Sequence, residues 1–208
     1  MGDSISNGYV TSSVSLDEEN RYYGIAAMQH KMKIGTCSLV NGTTISSQGN
    51  SSQSFISRVP ILDIAADLVI ITGGTNDYAR GTPLGTIADK TDISFYGALY
   101  VLCQALASKY KDKKVVFITP INRRNANGFN ATYETYSSST AGTLQDYRNA
   151  IQEVAGNMFG FTVIDGAQLG ICAINADTYA YQFADVVHIN ENGHRIMGEA
   201  LASILNNI

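Results

Sequence analysis

Three short apolar runs, separated by helix-length segments, restrict this chain to very few architectures. Leu68-Val69-Ile70-Ile71-Thr72 is continuous and rich in β-branched residues, bounded by Asp67 and Gly73, as suits a strand buried on both faces. Val115 to Thr119, ending at Pro120, repeats the pattern, and Phe161 to Ile164 gives a weaker third copy. Between the first two, Phe95, Leu99, Leu102, Cys103 and Leu106 form a helical stripe; between the second and third, Leu144, Tyr147, Ile151, Val154, Ala155 and Met158 form another. Tyr22, Tyr23, Ile25, Ala26, Met28 and Gln29 predict a first helix, and Ile196, Met197, Ala200, Leu201, Ile204 and Leu205 a terminal one opened by Asn192-Gly193. Thr36 to Val40 reads as a further strand turned by Asn41-Gly42, and Phe55 to Leu62 as a short helical segment interrupted by Pro60. Strands alternating with helices call for an α/β fold with a central parallel sheet covered on both faces. Ligands in such sheets sit at the carboxyl ends of the strands, where the loops holding Ser4, Gly42, Asn76 and Asn122 would lie.

The chain's 208 residues fit a single domain with one core, and its 45% apolar content and mean hydropathy of −0.02 are those of a globular chain. No apolar run is long enough to span a bilayer, and no basic segment followed by an apolar core marks a signal peptide. A net charge of −4 argues against nucleic acid as a partner. Lys109, Lys111, Lys113 and Lys114 cluster, but at a helix end, where cations suit the dipole and water. Cys37, Cys103 and Cys172 show no metal spacing, and their apolar neighbours suggest buried free thiols. Few charged residues and abundant Ser, Thr, Asn and Gly lean towards an extracellular setting.

Chemistry enters at Gly2-Asp3-Ser4, where a hydroxyl sits at a sharp turn expected to lead from a strand into a helix. A serine hydroxyl needs a base for its proton, an acid to orient that base and donors for the ensuing oxyanion. His188 is the candidate base, and Asp185, three residues earlier, is close enough to hold one imidazole nitrogen. His30 and His194, without such a partner, read as ordinary surface or core residues. Asn76, in Gly73-Gly74-Thr75-Asn76-Asp77, is a candidate oxyanion donor.

On these blocks the chain resembles the SGNH hydrolases, also called the GDSL family of esterases and lipases. Gly2-Asp3-Ser4 matches the family's nucleophile block, Gly74-Thr75-Asn76-Asp77 its Gly-x-Asn-Asp block and Asp185-Val186-Val187-His188 its Asp-x-x-His block. The second-block glycine best matches Gly42, which follows a strand, with Gly49 the weaker alternative. The resemblance implies a three-layer α/β/α, flavodoxin-like fold with an open site and no metal or organic cofactor. It also implies two-step ester hydrolysis with Ser4, His188 and Asp185 as catalytic triad, and an oxyanion hole made by Asn76 and the N–H groups of Gly42 and Ser4.

Two departures accompany the likeness. Relatives have an apolar strand before the Gly-Asp-Ser turn, whereas Met1 stands here, so the expectation is either a longer parent chain or another segment or subunit filling a central slot. Ile189 also replaces the Pro that follows the His in many relatives, which bears on the stiffness of that loop. The polar loops point to a small-molecule or carbohydrate ester with a short acyl group such as acetyl. The alternatives are a lipase, thioesterase or lysophospholipase of the same family, or a non-catalytic surface or phage-tail binding module. The polar 122–141 segment is either a surface loop or part of a substrate wall, with Arg123 and Arg124 either solvated or binding an anion.

Overall fold

The computed structural model describes residues 1–48, 52–124 and 142–207. A small antiparallel hairpin comes first, β1 (Tyr9–Thr11) with β2 (Val14–Ser15). Helix α1 (Tyr22–Gln29) and the short α2 (Phe55–Arg58) precede the first long strand, β3 (Leu68–Thr72). Then follow α3 (Thr75–Arg80), α4 (Phe95–Lys109), β4 (Lys114–Ile118), α5 (Leu144–Ile151), β5 (Thr162–Ile164), α6 (Ala176–Gln182) and α7 (Glu191–Leu205).

The three apolar runs form one parallel sheet in the order β3-β4-β5. Their continuous hydrophobicity follows from burial on both sides. Val69, Ile71, Val115 and Phe117 pack with Phe55 of α2, Leu99 and Leu102 of α4 and Tyr147 of α5. Val116, Ile118 and Ile164 join Tyr22 and Ala26 of α1 and Met197 and Leu201 of α7. The sheet is therefore the middle of three layers, and each fully buried Leu or Phe contributes about 1.5–3 kcal/mol.

Met1 and Gly2 extend the sheet beyond β3. Gly2 makes parallel bridges to Thr72 on one side and Leu39 on the other, so the 36–40 segment lies outermost through that bridge rather than as a regular strand. Gly2 N donates to Ser38 O and accepts, at its carbonyl, Val40 N; Thr72 N donates to Met1 O. The Met1 ammonium donates to Ile70 O at 2.7 Å, and its burial lowers its pKa to about 5. Met1 and Gly2 thus lie at the carboxyl end of the central slot, between Thr72 and Leu39.

Helix starts are locally encoded. Ser94 accepts from Gly97 N ahead of α4, and Thr143 and Asp146 make a capping box at α5. At α7 the cap is Asn190, accepting from Gly193 N, so the helix opens just ahead of the Asn192-Gly193 start expected from the sequence. The stripe over residues 144–158 is α-helical only to Ile151 and continues in π-type turns over Gln152–Met158.

Several expectations need correction. The turn at Ser4 leads into the β1-β2 hairpin, not into a helix, which begins only at Tyr22. Cys37 is exposed, because the 36–40 segment lies at the sheet's outer edge; Cys103 alone is fully buried, and Cys172 is intermediate. Arg123 and Arg124 are buried instead of solvated: Arg123 donates to Thr75 O and Oγ1, and Arg124 to Ala173 O while stacking over the Tyr179 ring. Both anchor backbone, and the remaining loop residues 125–141 lie outside the described residues, as does Gly49. His194 is a core residue whose Nδ1 accepts Tyr22 N, and burial lowers its pKa to about 3.

Candidate active site

The nucleophile turn is built by tight local packing. Asn7 N donates to Asp3 O and Tyr9 N to Ser4 O, coiling residues 3–9 into consecutive turns. A side chain at residue 2 would put its Cβ 2.2 Å from Ser6 Oγ, so only glycine fits there. Ser6 Oγ bonds Tyr22 OH, which donates to Thr72 Oγ1, a buried chain of hydroxyls tying the turn to α1 and β3. Asp3 is buried beneath the turn, accepts Ile5 N, and has its pKa pushed up to about 6 by burial.

Arg58 locks the same region from below. Its guanidinium donates to Gly2 O, to Ser38 O and Oγ, and to Thr43 Oγ1, while Nε donates to Gln53 O. One buried cation therefore ties the nucleophile turn to the edge segment and to the loop after Gly42. Burial lowers its pKa to about 10, and the nearby Asp3 opposes that shift.

The last loop approaches from the other side of the molecule. Ser4 Oγ lies 3.0 Å from His188 Nε2, and His188 Nδ1 lies 2.7 Å from Asp185 Oδ2. Asp185 Oδ1 accepts Val187 N and His188 N, each at 2.7 Å. Partial burial works against the Asp185 charge, but the His188 imidazole and these two N–H groups outweigh it and hold its pKa at about 2. Ile189 does not slacken the loop: it is fully buried and bridges Phe183, Ala184 N donates to His188 O, and Arg124 N donates to Val186 O. Tyr9, from the β1-β2 hairpin, packs its ring 4.5 Å from the His188 ring.

The third side comes from the loop after Asn41 and from α3. Gly42 has φ +71°, a conformation that disfavours any other residue. Asn76 Nδ2 donates to Thr43 O and Arg80 to Gly42 O, so two side chains of α3 grip successive carbonyls of this loop. Asp77 is fully buried and accepts Ile45 N and Ser46 N; burial raises its pKa to about 6. Asn7 Nδ2 bonds Asn41 Oδ1 and links the loop to the nucleophile turn. Among the described residues the N–H groups of Ser4 and Gly42 have no hydrogen-bond acceptor, and Asn76 retains a second amide hydrogen.

The five sequence-expected site residues thus stand on three loops and the first turn of α3, which the fold draws to one end of the sheet. Tyr9, Arg58 and Arg80 were not anticipated. Arg58 had one visible signal, a lone cation inside the apolar Phe55-Pro60 run. Among the described residues no group of three or more His, Cys, Asp or Glu side chains could hold a metal ion. None of the described helices is long and apolar enough to cross a membrane.

The family model described as GDSL-like Lipase/Acylhydrolase family matches residues 1–196. The chain belongs to that family. Solved structures of similar fold include a Lactobacillus plantarum protein (25% identity, TM-score 0.83, 99% of this chain and 94% of that one). Two others are the M. smegmatis aryl esterase (20%, 0.70, 99% and 95%) and Est24, a carbohydrate acetylesterase from Sinorhizobium meliloti (16%, 0.69, 99% and 95%). No match was found among curated proteins. Membership in this acylhydrolase family supports ester hydrolysis in general.

Proposed function

We propose that this GDSL-family chain is a single-domain serine esterase that removes a short acyl group, such as acetyl, from a small polar or carbohydrate ester. The observation that carries the reading is the Ser4 Oγ–His188 Nε2 contact of 3.0 Å, backed by Asp185. His188 takes the Ser4 proton as Oγ attacks the carbonyl, then delivers it to the departing alcohol, and the released alcohol leaves an ester on Ser4. Water, deprotonated by His188, attacks that acyl-enzyme; its collapse frees the acid and returns the proton to Ser4. The oxyanion of each step is met by Ser4 N–H, Gly42 N–H and the Asn76 amide. The short-acyl reading is supported by polar surroundings: Asn7, Asn41, Thr43, Asn76 and Arg80 border the Ser4 turn and the Gly42 loop.

A p-nitrophenyl ester series from acetate to palmitate tests this reading, with the Ser4→Ala protein as blank. The expected result is Ser4-dependent turnover that is greatest for acetate and falls with chain length. A long-chain preference would replace it with the lipase reading, and no turnover from folded protein would favour a binding module.

Asn76→Ala is expected to lower kcat by about 100- to 1000-fold, or about 3–4 kcal/mol of transition-state stabilisation, while the fold is retained. Part of that loss comes through the loop, because Thr43 O loses its donor as well. Near-normal turnover in a protein with native circular dichroism would remove Asn76 from the oxyanion role.

A further inference from the structure

Arg80 stands out because the esterase reading gives its guanidinium no part in the reaction beyond holding the Gly42 carbonyl. It follows Asn76 by four residues in α3, so the two side chains share a helix face. It donates to the carbonyl of Gly42, the residue whose N–H faces the developing oxyanion in the proposed reaction, which puts its guanidinium one hydrogen bond from that residue. The side chain is exposed, and no carboxylate among the described residues lies within 4.0 Å of it. It lines a surface depression of about 420 Å³ with Gln48, Gly81, Thr82 and Pro83. One guanidinium N–H is engaged by Gly42 O, and a guanidinium has five in all.

From this placement we infer that Arg80 is an anion subsite, and that the esters processed at Ser4 carry a carboxylate a few bonds from the scissile carbonyl. The inference rests on the serine esterase reading and narrows its substrate class. On a chain of net charge −4, a cation one hydrogen bond from Gly42, with no carboxylate partner among the described residues, raises the local concentration of anionic substrate and orients it by a charge-assisted hydrogen bond. A carboxylate on the acyl side or on the alcohol side satisfies the same chemistry.

The test compares two ester pairs that differ in charge: monomethyl succinate with methyl levulinate, and acetoxyacetate with acetoxyacetone. Turnover is followed by proton release for the wild type, Arg80→Gln, Arg80→Lys and Ser4→Ala. The expected result, in at least one pair, is an anion-to-neutral ratio of kcat/KM that falls roughly five- to tenfold in Arg80→Gln, chiefly through KM, and recovers in Arg80→Lys. An equal loss on charged and neutral esters would make Arg80 only a positioning residue for Gly42 and overturn the inference, as would an unchanged ratio. Turnover that persists in Ser4→Ala would instead reject the serine esterase reading itself. Succinate titrated calorimetrically into the Ser4→Ala protein gives a second reading: binding weakened by adding Arg80→Gln supports the subsite, and absent or Arg80-independent binding overturns it.

Discussion

Replacing Ser4 with alanine is expected to lower kcat on p-nitrophenyl acetate by roughly 10⁴- to 10⁶-fold while leaving the protein folded. The hydroxyl oxygen is the only heavy atom lost. Among the described residues Ser4 Oγ has one side-chain partner, His188 Nε2, whereas the turn around it is held by the Asp3–Asn7 and Ser4–Tyr9 backbone bonds and by the Arg58 bonds to Gly2 O. None of these uses the hydroxyl, so the turn, Gly42 and Asn76 stay in place, and whatever turnover remains reports the donors acting on water-driven hydrolysis. An organophosphonate ester that labels serine nucleophiles is expected to modify the wild type once and the Ser4→Ala protein not at all. Wild-type turnover in the folded variant, or equal labelling of both proteins, would move the nucleophile elsewhere.

Asp185→Asn is expected to cost about 10⁴-fold in kcat, through the tautomer of His188, together with a loss of stability near neutral pH where the carboxylate is ionised. In the wild type, one carboxylate oxygen receives Nδ1–H while the other receives Val187 N–H and His188 N–H. An Asn side chain has a single carbonyl oxygen, and the two backbone donors claim it. Its NH₂ then faces Nδ1, which must give up its proton and accept, so Nε2 carries the hydrogen and points it at Ser4. A protonated Nε2 cannot take the serine proton. Steady-state rates alongside urea unfolding of both proteins check this, and a loss of less than about tenfold would show that Asp185 does not set the tautomer. The same carboxylate carries a pH signature. Its folded pKa of about 2 lies below the ordinary 3.8, so its contribution to stability is present above about pH 4 and fades as pH falls through 2.

Much of the architecture was legible because it depends on local periodicity. Unbroken runs such as Leu68–Thr72 can be satisfied only by burial on two sides, and the stripe from Phe95 to Leu106 by one buried helix face. Asp185 and His188 were legible for a similar reason: three residues of separation let a loop fold the carboxylate back onto its own imidazole. What escaped was long-range or conditional on burial. Arg58 serves Gly2, Ser38 and Thr43, positions 15 to 56 residues away, and no spacing rule advertises such a hub. Arg123 and Arg124 were left open between solvated and anion-binding because their carbonyl acceptors and aromatic platforms come from other parts of the chain. Cys37 was misplaced because apolar neighbours do not reveal that a segment lies at a sheet's edge.

Ser4 and His188 are 184 residues apart in the sequence, and the helices that follow them, α1 and α7, pack together with His194 accepting Tyr22 N. Closing so long a loop is costly in chain entropy, and such contacts form late unless much of the intervening structure has already shortened the path. Renaturation would then restore the sheet and α4 before it restores a nucleophile. Turnover becomes a clock for the final docking of the two ends, and a destabilising change in either of these helices would register as lost activity before any loss of bulk secondary structure.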